Sequence, residues 1–414
     1  MYSKIKKHLC DIGEEFKREF SKELKRLYYE ELLGKEAPLY DFNSNDIEDI
    51  LKIIYLEKKI YLDRRDEKIF PNIINKKEYE WGIKFVILLP VGLSYELFYK
   101  NEDTFETALD KEIKIEHKGK RIYLTVYTKK LKSKYLYNDN VLNKLKEIKF
   151  GMPIGYSKEG FIYINFTKTY HHLLVGGMMG SGKSVFIRQG LYSMCKVYPV
   201  DYFEIYFIDL KGGLEVKPFS NVPHVKGIAK NKLQSKELLE ELDEELKRRM
   251  AIIGDEYVEN INDLSIEKRK ELNLPYILLV VDEFAELTTG IDMIEKFGRL
   301  CRFAGMHMII ATQRPDRQTV DGKIKANIPA TVAFRVRNRI NSQILLDNDK
   351  ASYLPDIEGR AILQSKHDNV IQVPLLRTKK LYKEYGYPKP DIKPIVERVK
   401  DSNENEVVGK VYED

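Results

Sequence analysis

The residues of this 414-residue sequence that are best placed to do chemistry begin at Gly177-Met-Met-Gly-Ser-Gly-Lys-Ser184. The run has the spacing of a phosphate-binding loop: Gly, four residues, then Gly-Lys-Ser. Glycines let the backbone turn tightly, so that its N–H groups can face phosphate oxygens. The Lys183 ammonium would reach the β- and γ-phosphates, and the Ser184 hydroxyl would ligate Mg²⁺. We therefore predict a site for ATP and Mg²⁺. The predicted nucleotide-binding residues are Gly177, Met178, Met179, Gly180, Ser181, Gly182, Lys183, Ser184 and Val185.

The flanking residues favour this interpretation. His172-Leu-Leu-Val-Gly176 is typical of a strand, and the residues from Ser184 onward are typical of a helix. A strand, a glycine-rich turn and a helix in that order aim the helix N-terminus at the phosphates.

A second motif follows at Tyr276-Ile-Leu-Leu-Val-Val-Asp-Glu-Phe-Ala285, where an apolar run ends in Asp282 and Glu283. Carboxylates rarely end a buried strand without a partner, and this pattern is that of a Walker B strand. We expect Asp282 to hold the Mg²⁺ shell together with Ser184. We expect Glu283 to orient and polarise the attacking water.

Two further strands are predicted at Tyr206-Phe-Ile-Asp-Leu210 and Met308-Ile-Ile-Ala-Thr-Gln313. Ligands of parallel sheets bind at the carboxyl ends of the strands, so Gln313 is a candidate sensor of the γ-phosphate.

Arginines are a third group of candidates. Arg335, Arg337 and Arg339 are two residues apart, so a strand there would aim all three at one face. Arg302 precedes them. Arginine suits phosphate, whether of ATP in a neighbouring subunit or of DNA. Arg302, Arg335 and Arg337 are therefore candidates for a catalytic residue acting in trans, for DNA contact, or for surface ion pairs.

The elements that position these residues fall into four predicted segments. Residues 1–80 are predicted to be helical, from stretches such as Ile12 to Leu33, and 81–150 to be a small α/β module and a linker. Strands alternate with helices over 151–375, which predicts a parallel α/β sheet. Residues 376–414 are predicted to be a polar tail, partly extended or disordered.

Composition sets broad limits. The sequence has 70 Lys and Arg against 64 Asp and Glu, a net charge of +6, which permits a polyanion partner without requiring one. Three widely spaced cysteines argue against a disulfide framework or a zinc finger. The most apolar stretch, residues 85–93, is too short to span a bilayer, so we expect a cytoplasmic protein without a transmembrane segment.

Residues 153 to about 364 resemble the FtsK/SpoIIIE motor domain of the HerA/FtsK branch of P-loop ATPases. The resemblance rests on the two motifs above and on Ile208-Asp-Leu-Lys-Gly-Gly-Leu-Glu215. Its most specific stretches are Ala304-Gly-Met-His-Met-Ile-Ile-Ala-Thr-Gln-Arg-Pro315 and Ile324-Lys-Ala-Asn-Ile-Pro329. It implies a RecA-like fold and a homohexameric ring that threads double-stranded DNA and hydrolyses ATP between subunits.

The large chromosome-segregating members of that family have membrane helices and a C-terminal winged helix, which this sequence does not show. We therefore expect the short form found on mobile elements, acting in conjugative transfer or partition. A membrane-anchored transfer or division protein is a further expected partner. The Asp-Leu-Lys-Gly-Gly stretch also resembles the motors of type VII secretion, so a protein-export ATPase is the alternative.

Overall fold

The structure is a computed structural model that describes residues 47–387, apart from 65, 66, 169, 212, 214, 317–319, 321, 366 and 367. The predicted helical stretch from Ile12 to Leu33 lies outside the described residues. The chain divides into two compact units, Met1–Lys130 and Leu131–Asp414. Each is described by itself below.

The first unit is built on an antiparallel sheet of strands β3 to β6 in the order β3-β4-β6-β5. A hydrophobic core that includes Phe85, Ile87 and Leu124 packs the sheet against short helices. The strands are β1 (Leu62–Arg64), β2 (Glu67–Ile69), β3 (Asn72–Tyr79), β4 (Gly82–Leu88), β5 (Ile113–Lys118) and β6 (Arg121–Tyr127), and the helices are α1 (Ile47–Glu57), α2 (Glu96–Lys100) and α3 (Glu102–Leu109).

The prediction of a helical region over 1–80 is wrong for residues 62–79. Only α1 is α-helical among the described residues of that range, and β1, β2 and β3 follow it. Strand β3 lies at the edge of its sheet, and seven of its eight residues are exposed. Its side chains therefore lack the alternation of apolar and polar residues that would predict a strand.

The second unit is built on a ten-stranded sheet in the order β11-β10-β12-β13-β9-β14-β15-β16-β7-β8. The first six strands in that order, from β11 to β14, pair in parallel. The last four strands, from β15 to β8, pair antiparallel. This is the mostly parallel α/β sheet that the sequence predicts for a RecA-like motor. The strands are β7 (Gly151–Ser157), β8 (Gly160–Asn165), β9 (His172–Gly176), β10 (Phe203–Asp209), β11 (Val225–Ala229), β12 (Tyr276–Asp282), β13 (Met306–Thr312), β14 (Ala330–Phe334), β15 (Arg360–Gln364) and β16 (Asp368–Gln372).

Helices cover both faces of this sheet. Alternate residues of β9 enter different cores: Leu173 and Val175 join one, and Leu174 joins the other. Every residue of β9, β12 and β13 is buried, as expected for central parallel strands. The helices are α4 (Val141–Leu145), α5 (Lys183–Val197), α6 (Lys232–Asp255), α7 (Ile266–Glu271), α8 (Ile291–Leu300), α9 (Gly322–Ala326), α10 (Arg339–Leu346) and α11 (Thr378–Tyr385).

Both ends of the second unit differ from the sequence-based division. Residues 129–150 were predicted to be a linker with a short helix; α4 is that helix, but Leu145 and Phe150 are buried in the core of the second unit. The tail begins with a helix, α11, rather than an extended segment. Buried Leu381 and the Glu384 carboxylate anchor α11, because Glu384 accepts hydrogen bonds from Tyr192 and Lys196. Residues 388–414 lie outside the described part of the chain.

Across the described residues, no helix is both long enough and apolar enough to span a membrane.

Candidate active site

Four of the predicted catalytic residues, Lys183, Asp282, Glu283 and Gln313, meet at the carboxyl ends of the central strands of the large sheet. Strand β13 pairs in parallel with both β12 and β9, so the carboxyl ends of these three strands are adjacent. This places the loop after β9 beside Asp282 and Glu283 at the end of β12, and beside Gln313 after β13. The strand order therefore brings together motifs that are about a hundred residues apart in the sequence.

The loop from Gly177 to Gly182 has the backbone of an anion cradle. Gly180 and Gly182 adopt positive φ angles of 78° and 106°, where a side chain would be strained. Gly177 N donates to Thr312 O, so the loop is tied to the end of β13. The Ser181 hydroxyl is buried and has no hydrogen-bond partner among the described residues. The loop opens directly into α5, whose N-terminus favours negative charge.

Lys183 and Asp282 are paired in the structure. Lys183 Nζ donates to Asp282 Oδ1 at 2.8 Å, and both side chains are almost fully buried. The other carboxylate oxygen, Asp282 Oδ2, is buried and lacks a hydrogen-bond partner among the described residues. A buried, unpartnered carboxylate oxygen is costly unless a ligand completes its coordination.

The surroundings of Asp282 fit Mg²⁺. A cavity of about 20 Å³ has four oxygen-bearing side chains in its lining, those of Ser184, Asp209, Glu215 and Asp282, and the rest of the lining is apolar apart from Arg188. Oxygen ligands are those that Mg²⁺ prefers, and the cavity is large enough for a water or an ion. The predicted ligands Ser184 and Asp282 therefore lie together.

Glu283 is held by groups from two neighbouring strands. Its backbone adopts a left-handed φ of 58°, uncommon for a non-glycine residue and often found where strain serves function. Its carboxylate accepts hydrogen bonds from Thr312 Oγ1 at 3.0 Å, from Gln313 N at 3.1 Å and from Lys211 Nζ at 2.7 Å.

The pKa of Glu283 reflects two opposed effects. Burial by itself raises the pKa of this carboxyl. The hydrogen bonds from Lys211 and the Gln313 amide, together with the charge of Lys211, outweigh burial and hold the pKa below its usual range. Glu283 is therefore kept ionised, as a group that accepts a proton or orients water must be.

The loop after β10 carries side chains of the site that were not predicted from the sequence, although Ile208–Glu215 is part of the family resemblance. Buried Asp209 accepts hydrogen bonds from the backbone N–H groups of Lys211, Glu215 and Val216 and so shapes this loop. One side chain of the loop, Lys211, reaches Glu283. Another, Glu215, accepts a hydrogen bond from Ser184 Oγ at 2.8 Å. Thr312 was also missed, although it immediately precedes the predicted Gln313.

Of Gln313, the structure gives the backbone contact to Glu283, and γ-phosphate sensing by its side chain stays a prediction. The remaining predicted binding residues take different positions in the loop. Met178 and Met179 are exposed at its tip, whereas Val185 lies in the first turn of α5.

The three arginines Arg335, Arg337 and Arg339 do not lie in a strand. Strand β14 ends at Phe334, and helix α10 starts at Arg339, so Arg335 and Arg337 lie in the loop between them. The prediction of a strand through these arginines is therefore wrong. Arg335 forms an ion pair with exposed Asp356, at 2.6 Å between Nη1 and Oδ1.

Arg302 lies near the amino end of β13, whereas the phosphate loop lies at the carboxyl ends of the strands. It precedes β13, and its charge acts on His171, which precedes β9. Strand β13 has seven residues, so the length of a strand, roughly 20 Å, separates Arg302 from the phosphate loop of its own subunit. Whether Arg302, Arg335 or Arg337 acts in trans stays a prediction.

The part of the chain that contains this site is similar to known proteins. Residues 142–317 match the model of the FtsK/SpoIIIE family. The ESX secretion system protein YukB of Bacillus subtilis is 32% identical over 236 residues, which is 54% of this chain and 16% of YukB. The DNA translocase FtsK of Campylobacter jejuni is 34% identical over 213 residues, 49% of this chain and 22% of FtsK. The chain thus matches less than a quarter of the length of either relative.

Solved structures show the same fold. The pCW3 conjugation coupling protein TcpA, in its monomer form with ATPγS, aligns with a TM-score of 0.55 at 23% identity. The alignment covers 81% of this chain and 99% of TcpA. The EssC fragment containing ATPases 2 and 3 from Geobacillus thermodenitrificans aligns with a TM-score of 0.53 at 18% identity, covering 62% of this chain and 52% of that one.

Proposed function

We propose that this chain is an ATPase motor that moves double-stranded DNA, working as a homohexamer in conjugative transfer, in other mobile-element transfer or in DNA partition. One observation supports the ATPase activity above all. Lys183, Asp282 and Glu283 converge beside a loop whose glycines adopt the backbone of a phosphate cradle. Binding and hydrolysis of ATP need these groups in this arrangement.

In the proposed reaction, the loop amides and Lys183 bind the phosphates of ATP, while Ser184 and Asp282 hold Mg²⁺. Bound Mg²⁺ neutralises charge that develops on the phosphate oxygens. Glu283 accepts a hydrogen bond from the attacking water and aligns it with the γ-phosphate. Thr312 and the Gln313 amide fix the position of the Glu283 carboxylate. An arginine of the neighbouring subunit, Arg302, Arg335 or Arg337, completes charge stabilisation.

DNA as the substrate is supported by the relatives. The FtsK proteins, which are named DNA translocases, are 30–35% identical to this chain over 193 to 274 residues. The net charge of +6 is compatible with a polyanion that passes through a ring of subunits. By this proposal the protein works in the cytoplasm, and a membrane-anchored transfer or division protein is its docking partner.

Protein export is the second candidate function. It is favoured by the similarity to YukB, which is named for a secretion system, at 32% identity. The two functions differ in the polymer that stimulates hydrolysis: double-stranded DNA for the first and a polypeptide for the second.

The deciding experiment is the steady-state ATPase rate with and without long double-stranded DNA, at low and moderate salt. We expect strong stimulation that weakens as salt rises, because phosphate contacts are screened and counterion release becomes less favourable. A rate that is indifferent to DNA at both salt concentrations would contradict the DNA translocase and favour the export motor.

The role of Glu283 is tested by the variant Glu283→Gln, which keeps the size of the side chain but removes the charge. We expect it to bind ATP and to hydrolyse it roughly 10²- to 10⁴-fold more slowly, the usual effect of losing a general base. The matched control is Glu286→Gln, because Glu286 is exposed on the turn that follows. Turnover by Glu283→Gln at the wild-type rate would show that another group polarises the water.

A further inference from the structure

Glu215, in the loop after β10, touches a predicted Mg²⁺ ligand but has no task in the reaction proposed above. Ser184 Oγ donates to Glu215 Oε1 at 2.8 Å. Glu215 also lines the cavity of about 20 Å³ that Asp209 and Asp282 line. Carboxylates that are brought close together repel one another. The position of Glu215 among them is therefore unfavourable in itself and calls for a function.

The backbone of Glu215 is fixed on both sides. Asp209, the last residue of β10, is buried, and its Oδ2 accepts hydrogen bonds from Glu215 N at 3.0 Å and from Val216 N at 3.2 Å. The side chain of Val216 is buried in the core of the second unit. The place of Glu215 beside α5 is thus set before any ligand binds, which lowers the entropic cost of binding.

Helix α5 presents one group to each oxygen of Glu215. Ser184 and Arg188 are four residues apart in α5, so they lie on the same face of the helix. Ser184 Oγ contacts Oε1, whereas Arg188 Nη2 lies 3.7 Å from Oε2. The carboxylate is therefore held between an arginine and a hydroxyl, with Oε1 turned to the hydroxyl.

This hydrogen bond determines how the Ser184 hydroxyl is oriented. A hydroxyl has one hydrogen and two lone pairs, and a carboxylate can only accept. The hydrogen of Ser184 therefore points at Glu215, and the lone pairs remain for other partners.

Asp282 does not perform this task. Its Oδ1 accepts the hydrogen bond from Lys183, and its Oδ2 has no hydrogen-bond partner among the described residues. Asp282 is only 4% exposed and lines the same cavity as Ser184. The unpartnered oxygen and the lone pairs of the hydroxyl are together the groups that a divalent cation would bind.

We propose that Glu215 is a positioning residue that orients the Ser184 hydroxyl for the divalent cation that accompanies ATP. The inference rests on the proposed function, because it takes residues 177–184 to be the phosphate loop and Ser184 to be a Mg²⁺ ligand. It adds a residue from the loop after β10, which neither the phosphate-loop motif nor the acidic-strand motif contains.

The hydrogen bond, rather than the charge of Glu215, carries the expected effect. The Glu215 side chain is 36% exposed, so water screens its charge. Groups that orient a metal ligand typically change metal affinity by roughly 10- to 100-fold when they are removed. Alanine at 215 leaves the hydroxyl free to rotate, whereas glutamine keeps an oxygen that accepts its hydrogen.

The test measures metal affinity rather than turnover. Full-length protein is saturated with ADP, and binding of Mn²⁺, a paramagnetic substitute for Mg²⁺, is followed by electron paramagnetic resonance. We expect Glu215→Ala to weaken Mn²⁺ binding by roughly 10- to 100-fold, and Glu215→Gln to stay close to wild type. ADP affinity without metal, measured in EDTA, should be unchanged. The matched control is Glu237→Ala, at an exposed glutamate of α6.

A double-mutant cycle tests whether Glu215 acts through Ser184. In Ser184→Ala the hydroxyl is absent, so adding Glu215→Ala should cause no further loss of Mn²⁺ affinity. Losses that add in the double variant would show that Glu215 acts on the cation by another route, and the inference would be wrong.

Other results would also overturn the inference. Unchanged Mn²⁺ affinity in Glu215→Ala would show that the hydroxyl needs no orienting partner. A loss in Glu215→Gln as large as that in Glu215→Ala would assign the effect to charge. Equal weakening of metal-free ADP binding would show that Glu215 supports only the phosphate loop. The proposed function fails separately: wild-type protein that binds no ADP, or Lys183→Ala that binds it as tightly as wild type, would refute the phosphate site.

Discussion

Replacing Lys211 with methionine should move the pH dependence of ATP hydrolysis without removing any group that we assign to ATP or Mg²⁺. In the structure Lys211 Nζ lies 2.7 Å from Glu283 Oε2. Burial alone would raise the pKa of Glu283, and it is opposed by the hydrogen bond from Lys211, the hydrogen bond from the Gln313 amide and the charge of Lys211. Methionine has a similar length but neither the hydrogen bond nor the charge of lysine, so the pKa of Glu283 should rise relative to that in the wild type.

The size of the change follows from the exposure of the two groups. The Glu283 side chain is 3% exposed and that of Lys211 is 34% exposed, so the pair is only partly screened by water. A hydrogen bond to a charged group contributes about 1.5–3 kcal/mol, and an exposed ion pair 0–1 kcal/mol. For the half-buried pair of Lys211 and Glu283 we take about 1.5 kcal/mol, which corresponds to a change of about one unit in the pKa of Glu283.

The assay is kcat for ATP hydrolysis from about pH 3.5 to pH 9, for wild type and Lys211→Met, because the pKa of Glu283 lies below the usual glutamate value of about 4.3. Glu283 works as the carboxylate, so kcat falls at low pH, and this acid limb should move up by about one unit in the variant. Lys217→Met, at an exposed lysine of the same loop region, is the control and should leave the limb in place. An unshifted limb in Lys211→Met would refute the reasoning, as would a loss of kcat that is equal at every pH.

Two further predictions concern stability. Burial lowers the pKa of His172 to about 3 and that of His307 well below its usual value, so both are neutral in the folded protein and gain protons only on unfolding. The stability that the two neutral histidines contribute is complete above about pH 6.5. Below that pH the free energy of unfolding should fall by about 1.4 kcal/mol per pH unit for each histidine. An unfolding midpoint in urea that is the same at pH 7.5 and 5.0 would contradict this. Gly359→Ala should lower the melting temperature, because Gly359 has a φ of 81° and a Cβ there would lie 2.8 Å from Gln372 Nε2, whereas Gly254→Ala, with open space around it, should not.

The sequence predicted those parts of the site that consist of local pattern. The apolar run of β9 leads into the phosphate loop and that of β12 ends in Asp282, so Lys183, Asp282 and Glu283 could be predicted from local pattern alone. The boundaries of these strands also agree with the prediction, because buried parallel strands are continuous apolar runs.

The sequence pattern did not predict the secondary structure correctly in two places, an exposed strand and a point where the chain leaves a strand. Strand β3 carries mostly polar residues because it is an exposed sheet edge, so its sequence does not differ from that of a solvated helix. Arg335, Arg337 and Arg339 have the spacing of a strand face, yet β14 ends one residue before the first of them. The spacing predicts how these side chains would point if they lay in a strand, but the chain leaves β14 before them and begins α10 at Arg339.

The contact between Lys211 and Glu283 shows what separates the two kinds of inference. The two residues are distant in sequence and belong to different motifs, so no spacing rule connects them. In the sheet, β10 and β12 are adjacent and parallel, and Asp209 pairs directly with Asp282. Because the two strands end at the same position along the sheet, the loops that follow them start next to each other. The residues just after Asp209 therefore lie close to those just after Asp282. Once the strand order is known, the contact between Lys211 and Glu283 follows from the register of β10 and β12. The strand order itself cannot be predicted from any short segment of this sequence, because it depends on how distant segments pair.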